Sequence, residues 1–265
     1  MSITSTVVHR AETRFIEAAD ALRPYVGCFW IITAERGAMI RVVPDGSTSI
    51  STQLQNGRSS AWVLRGPLVE PQERRFASPA TLIGIRLRPG VAFLVSGIPA
   101  DAIVGRRIRL RGLAYGALTC GTCPSRTPEQ HIEVLERFLI ARLARVSVHA
   151  VVANALRTIE RAGGSVRVAD VAAACDVSQR HLNRLMRTWV GYGAKRWARI
   201  ARFQTALEQM EQSPGRSGAA LATENGYFDQ AHLTLDMTQL ADATPGHLSS
   251  RSVADFYKTR CDEPL

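Results

Sequence analysis

Apolar residues fall three and four apart at Val168, Val171, Ala172 and Cys175, which predicts a short helix with one buried face. Asp176-Val177 follows as a turn, and Ser178 is placed to cap the next helix by accepting a bond from an early backbone N–H. That next helix puts Leu182, Leu185, Met186 and Trp189 inward and leaves Gln179, Arg180, Asn183, Arg184 and Arg187 outward. The plan then repeats. Ala219, Leu221 and Ala222 form a support helix, Gly226 allows the turn, and Asp229 caps a helix through Leu235 with Gln230, His232 and Thr234 outward. The stretches Val168 to Trp189 and Ala219 to Leu240 therefore read as two helix-turn-helix units, their second helices starting about fifty residues apart. Between them, Ala194 to Met210 carries Trp197, Ile200, Ala201, Phe203, Ala206, Leu207 and Met210 at near-helical spacing, so this helix is expected to pack into both units.

The first half alternates differently. Segments rich in β-branched and aromatic residues, VGCFWIIT, MIRVV, STSISTQL, AWVLR and TLIGIRL, are separated by Pro44-Asp45-Gly46, Asn56-Gly57, Gly66-Pro67 and Ser78-Pro79. Short strands broken by such turn formers predict a β-barrel or sandwich. A helix is expected at VAFLVSG, followed by a basic segment ending at Arg111. EQHIEVLERFLIARLARV then reads as an amphipathic helix with Ile132, Leu135, Phe138, Leu139 and Leu143 on one side, serving either its own domain or dimerisation. The fold class is α+β: a β-rich domain over residues 1–125, a linking helix over 126–147, and an all-α domain with two helix-turn-helix units over 148–265.

Charge narrows the partners. The 265 residues carry a net charge of +10, which favours a polyanion. From Asp176 to Arg202 there are seven basic residues and one acid, whereas Glu211 to Leu265 holds four basic and eight acidic residues. The first unit and the helix after it are thus the expected electrostatic footprint on double-stranded DNA. Arg and Asn pair bidentately with guanine and adenine edges in the major groove. No run of eighteen apolar residues occurs and the first residues lack a signal-peptide core, so a cytoplasmic location without membrane contact is expected.

A small barrel can enclose one small ligand, and Trp30, Trp62, Arg86 and Arg88 are the candidate lining residues; Pro44, Asp45, Gly46, Pro89 and Gly90 read as architecture. The five cysteines are an odd number for a disulfide framework, and only Cys120 and Cys123 have metal or redox spacing, with His131 the one nearby third ligand. All six histidines fall outside the predicted strands, against a barrel metal enzyme. Nucleophile-elbow, H-E-x-x-H and phosphate-loop patterns are absent, so neither catalytic residues, a metal nor a cofactor is expected.

The run VADVAAACDVSQRHLNRLMRTWVGYGAKRWARIARFQTALEQM, with AALATENGYFDQAHLTLDMTQLADATPGHL after it, resembles the DNA-binding domain of AraC/XylS-type transcriptional regulators. The resemblance spans roughly Val148 to Leu248 and implies base reading by Arg180, Asn183 and Arg184 in the first unit and by Gln230, His232 and Thr234 in the second. It also departs from the family: Leu235 stands where relatives place a basic residue, and DMTQL replaces an aromatic-plus-basic ending, which implies a weaker second reader. VVPDGSTSI and GIRLRPGVAFLVSGIPA resemble the cupin-like sensor domain of some of these regulators, over about Pro24 to Leu113. The resemblance implies a one-component regulator with a small-molecule effector, contact with RNA polymerase and a homodimer. The rival reading is a ligand- or metal-binding cupin-like protein whose helical half makes protein contacts.

Overall fold

The computed structural model describes residues 6–55, 58–112, 115–119, 126–213 and 215–245; Cys120, Cys123 and Cys261 lie outside them. The strands are β1 (Thr6–Ile16), β2 (Val26–Val42), β3 (Thr48–Gln55), β4 (Arg58–Ser59), β5 (Val63–Arg65), β6 (Gln72–Arg75), β7 (Ala80–Leu87) and β8 (Arg107–Arg109). They form one antiparallel sheet in the order β1-β2-β7-β3-β5-β8, with β4 on β3 and β6 on the far end of β2. Among the described residues no ladder joins β8 to β1, so hydrogen bonding leaves the sheet open where a closed cupin-like barrel was expected.

Period-2 alternation sorts the side chains of this sheet. Phe29, Ile31, Ile50, Leu64, Ile83 and Ile85 point to one face and form a core with α1 (Val91–Ser96) and α3 (Pro128–Leu143). A reciprocal capping box starts α3: Thr127 Oγ1 accepts from the Gln130 N–H at 3.3 Å, and Gln130 Oε1 accepts from the Thr127 N–H at 2.9 Å. Its expected apolar face, including Leu135, Leu139 and Leu143, is buried in that core. The surface that a dimer through this helix would use is therefore occupied by its own sheet.

The structure departs from the sequence expectation at two strands. VGCFWIIT and MIRVV are one bent strand, β2, whose chain passes through Gly37 at φ 80°. The strand β1 was not foreseen, and it places His9 in a strand, contrary to the expectation for all six histidines. Its alternation is weak because it is an edge with charged residues facing out, interrupted by a register shift between His9 and Ala11.

The helical half comprises α4 (Ala150–Arg161), α5 (Val168–Ala174), α6 (Gln179–Val190), α7 (Ala194–Gln212), α8 (Gly218–Glu224) and α9 (Gln230–Ala241); a short α2 (Gly116–Thr119) precedes α3. As expected, α7 is shared. Trp197, Ile200 and Ala201 pack with α4, α5 and α6, while Phe203, Leu207 and Met210 pack with α8 and α9. One rigid rod thus fixes the distance between the two units.

The same helix carries a misfit that pH can expose. Burial pushes the Glu208 carboxyl from its ordinary 4.5 up to about 7, and its buried Oε1 has no hydrogen-bond partner. A carboxyl raised on folding favours the folded state when protonated, so this contribution is present below about pH 4.5 and is lost as pH rises to 7. Glu208→Gln should accordingly leave melting at pH 4.5 unchanged and raise stability at pH 8 by about 1–3 kcal/mol. Calorimetric melts at the two pH values check this, and identical shifts at both would remove Glu208 as the titrating group.

Candidate functional site

The first unit builds an open cationic helix face. Asp176 takes up the left-handed turn at φ 50° in place of glycine, and Ser178 Oγ accepts from the His181 N–H at 3.2 Å. Leu182, Leu185, Met186 and Val190 are buried beneath α6, and Gln179, Arg180, Arg184 and Arg187 are exposed above it. Arg184 Nη2 also lies 3.2 Å from His181 Nδ1. Asn183, expected to face out, is half-buried and committed: its amide donates to Gln179 O at 2.9 Å, and its Oδ1 accepts from the Ala194 N–H at 3.0 Å, capping α7. Gly193 permits that approach, since a Cβ there would sit 2.6 Å from Asn183 Oδ1.

The second unit is built alike but presents other chemistry. Asp229 Oδ1 accepts from the His232 N–H at 2.7 Å, and Gly226 makes the turn at φ 66°. Gln230 is exposed as expected. His232 is half-buried, its ring edge-on to Tyr227 at 5.2 Å, and Thr234 is half-buried with its hydroxyl on Gln230 O at 2.8 Å. Leu235 is 54% exposed, and Phe228, in the turn where no helical spacing signals it, is 93% exposed.

Counting charges along the chain overstated the footprint. Arg199 Nε donates to Asp236 Oδ1 at 2.8 Å, and Arg202 Nη2 lies 3.7 Å from Asp236 Oδ2, with Asp236 only 2% exposed. Two of the seven basic residues therefore tie α7 to α9. A third, Arg196, donates to Val69 O at 3.2 Å. The outward charge is concentrated on α6.

The other face of the sheet surrounds a cavity of about 560 Å³. Its apolar lining includes Phe15, Trp30, Ile32, Ile40 and Leu82, and its charged lining includes Arg65, Arg74, Arg86 and Arg107 with Asp45 and Glu73. Trp30 lies over Gly84, where a Cβ would come within 2.4 Å of the indole. Arg86 is ion-paired with Asp45, which is 7% exposed, so Asp45 is more than turn architecture. Trp62 and Arg88 do not line this cavity. Trp62 is buried in the opposite core, 6.1 Å from the His131 ring, and Arg88 Nε donates to Arg23 O at 2.8 Å. Burial and then the neighbouring Arg107 and Arg74 charges push the Arg65 guanidinium down to about 10, still cationic at neutral pH.

Loops on the cavity rim also hold the helical half. Gly46, at φ 73°, lies so close to Trp197 that a Cβ would be 1.9 Å from its ring. Gln204 Nε2 donates to Pro44 O at 2.6 Å, and the Tyr192 hydroxyl donates to Leu68 O at 2.9 Å. Phe93 of α1 meets Trp189 of α6 at 4.9 Å between ring centroids.

Residues 171–251 match the model of a helix-turn-helix domain family, which spans both units. The C-terminal domain is a helix-turn-helix domain of the AraC type. The chain carrying it is a DNA-binding transcription regulator. Residues 14–109 match a second family, DUF6597, described as a domain of unknown function. No curated protein matches the chain. Among solved structures it is similar to ToxT from Vibrio cholerae at 8% identity and a TM-score of 0.43, over 92% of this chain and 98% of that one. The unsaturated fatty acid bound form of ToxT aligns at 10% identity and a TM-score of 0.44, over 99% of each chain.

Within the AraC-type domain, the exposed first-unit residues Gln179, Arg180, Arg184 and Arg187 are brought onto one helix, and Asn183 serves to lock that helix to α7. Among the described residues no three His, Cys, Asp or Glu side chains gather as a metal site. No described helix is long and apolar enough to cross a membrane.

Proposed function

We propose that this regulator reads two successive major grooves with α6 and α9, under control of a small-molecule effector held in the β-domain cavity. The observation that carries the reading is the capped α6, buried on one face and bearing Arg180, Arg184 and Arg187 exposed on the other, joined through α7 to a second unit of the same build. Arg180 and Arg184 stand where bidentate contacts to guanine are made, and Arg187 faces the phosphates. α9 contributes Gln230 and an apolar surface, Ala231 and Leu235, suited to thymine methyl groups. His232 and Thr234 act from half-buried positions and make the weaker contribution.

Effector control follows from shared loops. Asp45, Ser47, Gly66 and Leu68 line the cavity, while Pro44, Gly46, Leu68 and Val69 touch α7 and the turn before it. A ligand that moves either loop shifts the seat of α7, and with it the spacing of the recognition helices, to the extent that it binds the two arrangements unequally. Its place of action is the cytoplasm, beside the DNA.

The asymmetry of the units provides the test. Leu235→Arg adds one cation to an exposed position on α9, so the slope of log affinity against log salt should steepen by about 0.9 for the one phosphate neutralised. Anisotropy titrations on a duplex selected from a random library, at several salt concentrations, measure it. An unchanged slope would place α9 away from the DNA.

A further inference from the structure

We propose that the β-domain cavity recognises an anionic group, a carboxylate or phosphate attached to an apolar body, through Arg65, Arg74 and Arg107. The proposal rests on the effector-cavity reading above and names the chemistry of its ligand. The register carries it. Cys28 faces Arg86, Arg86 faces Ser49, Ser49 faces Arg65 and Arg65 faces Arg107, so one row across β2, β7, β3, β5 and β8 sets three guanidiniums on the cavity side. Arg65 and Arg107 are direct cross-strand partners, an arrangement of like charges that works against the sheet unless something negative lies between them.

Arg86 already has Asp45. Arg65 and Arg107 have no ion-pair carboxylate among the described residues, and Arg74 reaches across from β6 with its guanidinium on Gln53 Oε1 and 4.7 Å over the Phe76 ring. Of the carboxylates in the lining, Asp45 is held by Arg86 and Glu73 by Arg41 and Arg75, so Arg65, Arg74 and Arg107 display their charge to the cavity. Arginine suits the task because its planar fork of donors matches a carboxylate or phosphate bidentately.

A second observation points to the same ligand. Thr48 is 5% exposed and lines the cavity with a buried hydroxyl that has no hydrogen-bond partner, as does the Thr13 hydroxyl. Buried hydroxyls are normally paired, so these mark further polar contacts for a bound molecule. Beside them Phe15 and Trp30, direct cross-strand partners, give the same lining an apolar surface, and Ile40 adds to it. A cavity of about 560 Å³ is of the size that holds a small organic molecule. Guanidinium groups and hydrocarbon within one cavity select an amphipathic anion.

Isothermal titration of the full chain with a matched set tests this: biphenyl-4-carboxylate, biphenyl-4-yl phosphate and the neutral biphenyl-4-carboxamide. The carboxylate or the phosphate should bind at least tenfold tighter than the amide, and the tighter of the two identifies the headgroup. Arg74→Gln and Arg107→Gln should each abolish the preference while leaving amide binding in place. Arg107→Gln should also raise the melting temperature of the ligand-free chain, because it removes a like-charge neighbour. Equal binding of all three compounds, or a preference that survives both substitutions, would overturn the anion assignment and leave the cavity reading intact. No binding of any of them would overturn both.

Discussion

Asp236→Ala should destabilise the C-terminal domain by about 3 kcal/mol, the low end for stripping one partner from a buried ion pair. The low end applies because Arg199 and Arg202, with side chains 32% and 19% exposed, can turn partly towards water. Asp236 itself is buried on the underside of α9 and is the only acid within ion-pair distance of both arginines among the described residues. Its loss therefore frees the second recognition helix from α7 as well as removing charge attraction. Thermal denaturation should show a fall of roughly 6–12 °C for a chain of this size. DNA affinity should fall too, even though Asp236 is buried beneath α9. Asp236→Asn, which keeps the shape and an acceptor for Arg199 Nε, should lose less. Melting unchanged in the alanine variant would mean that apolar packing around Phe203, Leu233 and Met237 alone holds α9 in place.

The second large effect concerns reading itself. Arg180→Ala and Arg184→Ala should each weaken binding by about 1–3 kcal/mol and relax preference at one base position. Neither side chain supports the core, so melting should stay within about 0.5 kcal/mol of wild type, as for surface substitutions generally. His232→Ala should weaken binding less than Arg184→Ala, because that ring is half-buried against Tyr227. Competition binding on the selected duplex and its single-base variants separates these outcomes. Undiminished affinity and unchanged preference in both arginine variants would take α6 out of the reading role.

What could be read from the chain alone follows from the range of each signal. Helix caps and turns are local, so Ser178, Asp176, Asp229 and Gly226 were legible at their positions, and the shared burial of α7 followed from its spacing. Edge elements carry little periodicity. β1, β6 and β8 are short or lined with charge, and none was foreseen. Charge patterns mislead when a partner is distant in sequence: Asp236 counts among the eight acids from Glu211 onward, and it is the buried tie to Arg199 and Arg202. Asn183 likewise has the right type and spacing for adenine, yet Ala194, eleven positions on, takes its carbonyl oxygen.

The cavity was the least legible feature. Trp30 and Arg86 do line it, but Arg65, Arg74 and Arg107 went unremarked because their proximity depends on strand register rather than on spacing. Trp62 and Arg88 looked equivalent to the other two candidates in sequence. Parity decides for Trp62, which with Leu64 lies on the side of the sheet that packs on α3, whereas Arg65 faces the opposite way; Arg88 has the parity of Arg86 but stands past the end of β7, where Arg23 O takes its Nε–H.

Hydroxyl-radical footprinting of the full chain on its selected duplex is the most direct test of the central claim, that two linked units on one rod read neighbouring grooves. Two protected patches about 10 base pairs apart are predicted, from the spacing of successive major grooves on one face of the helix. The patch under α6 should persist as salt rises and the patch under α9 should fade first. A single patch, or uniform weak protection along the duplex, would contradict the account.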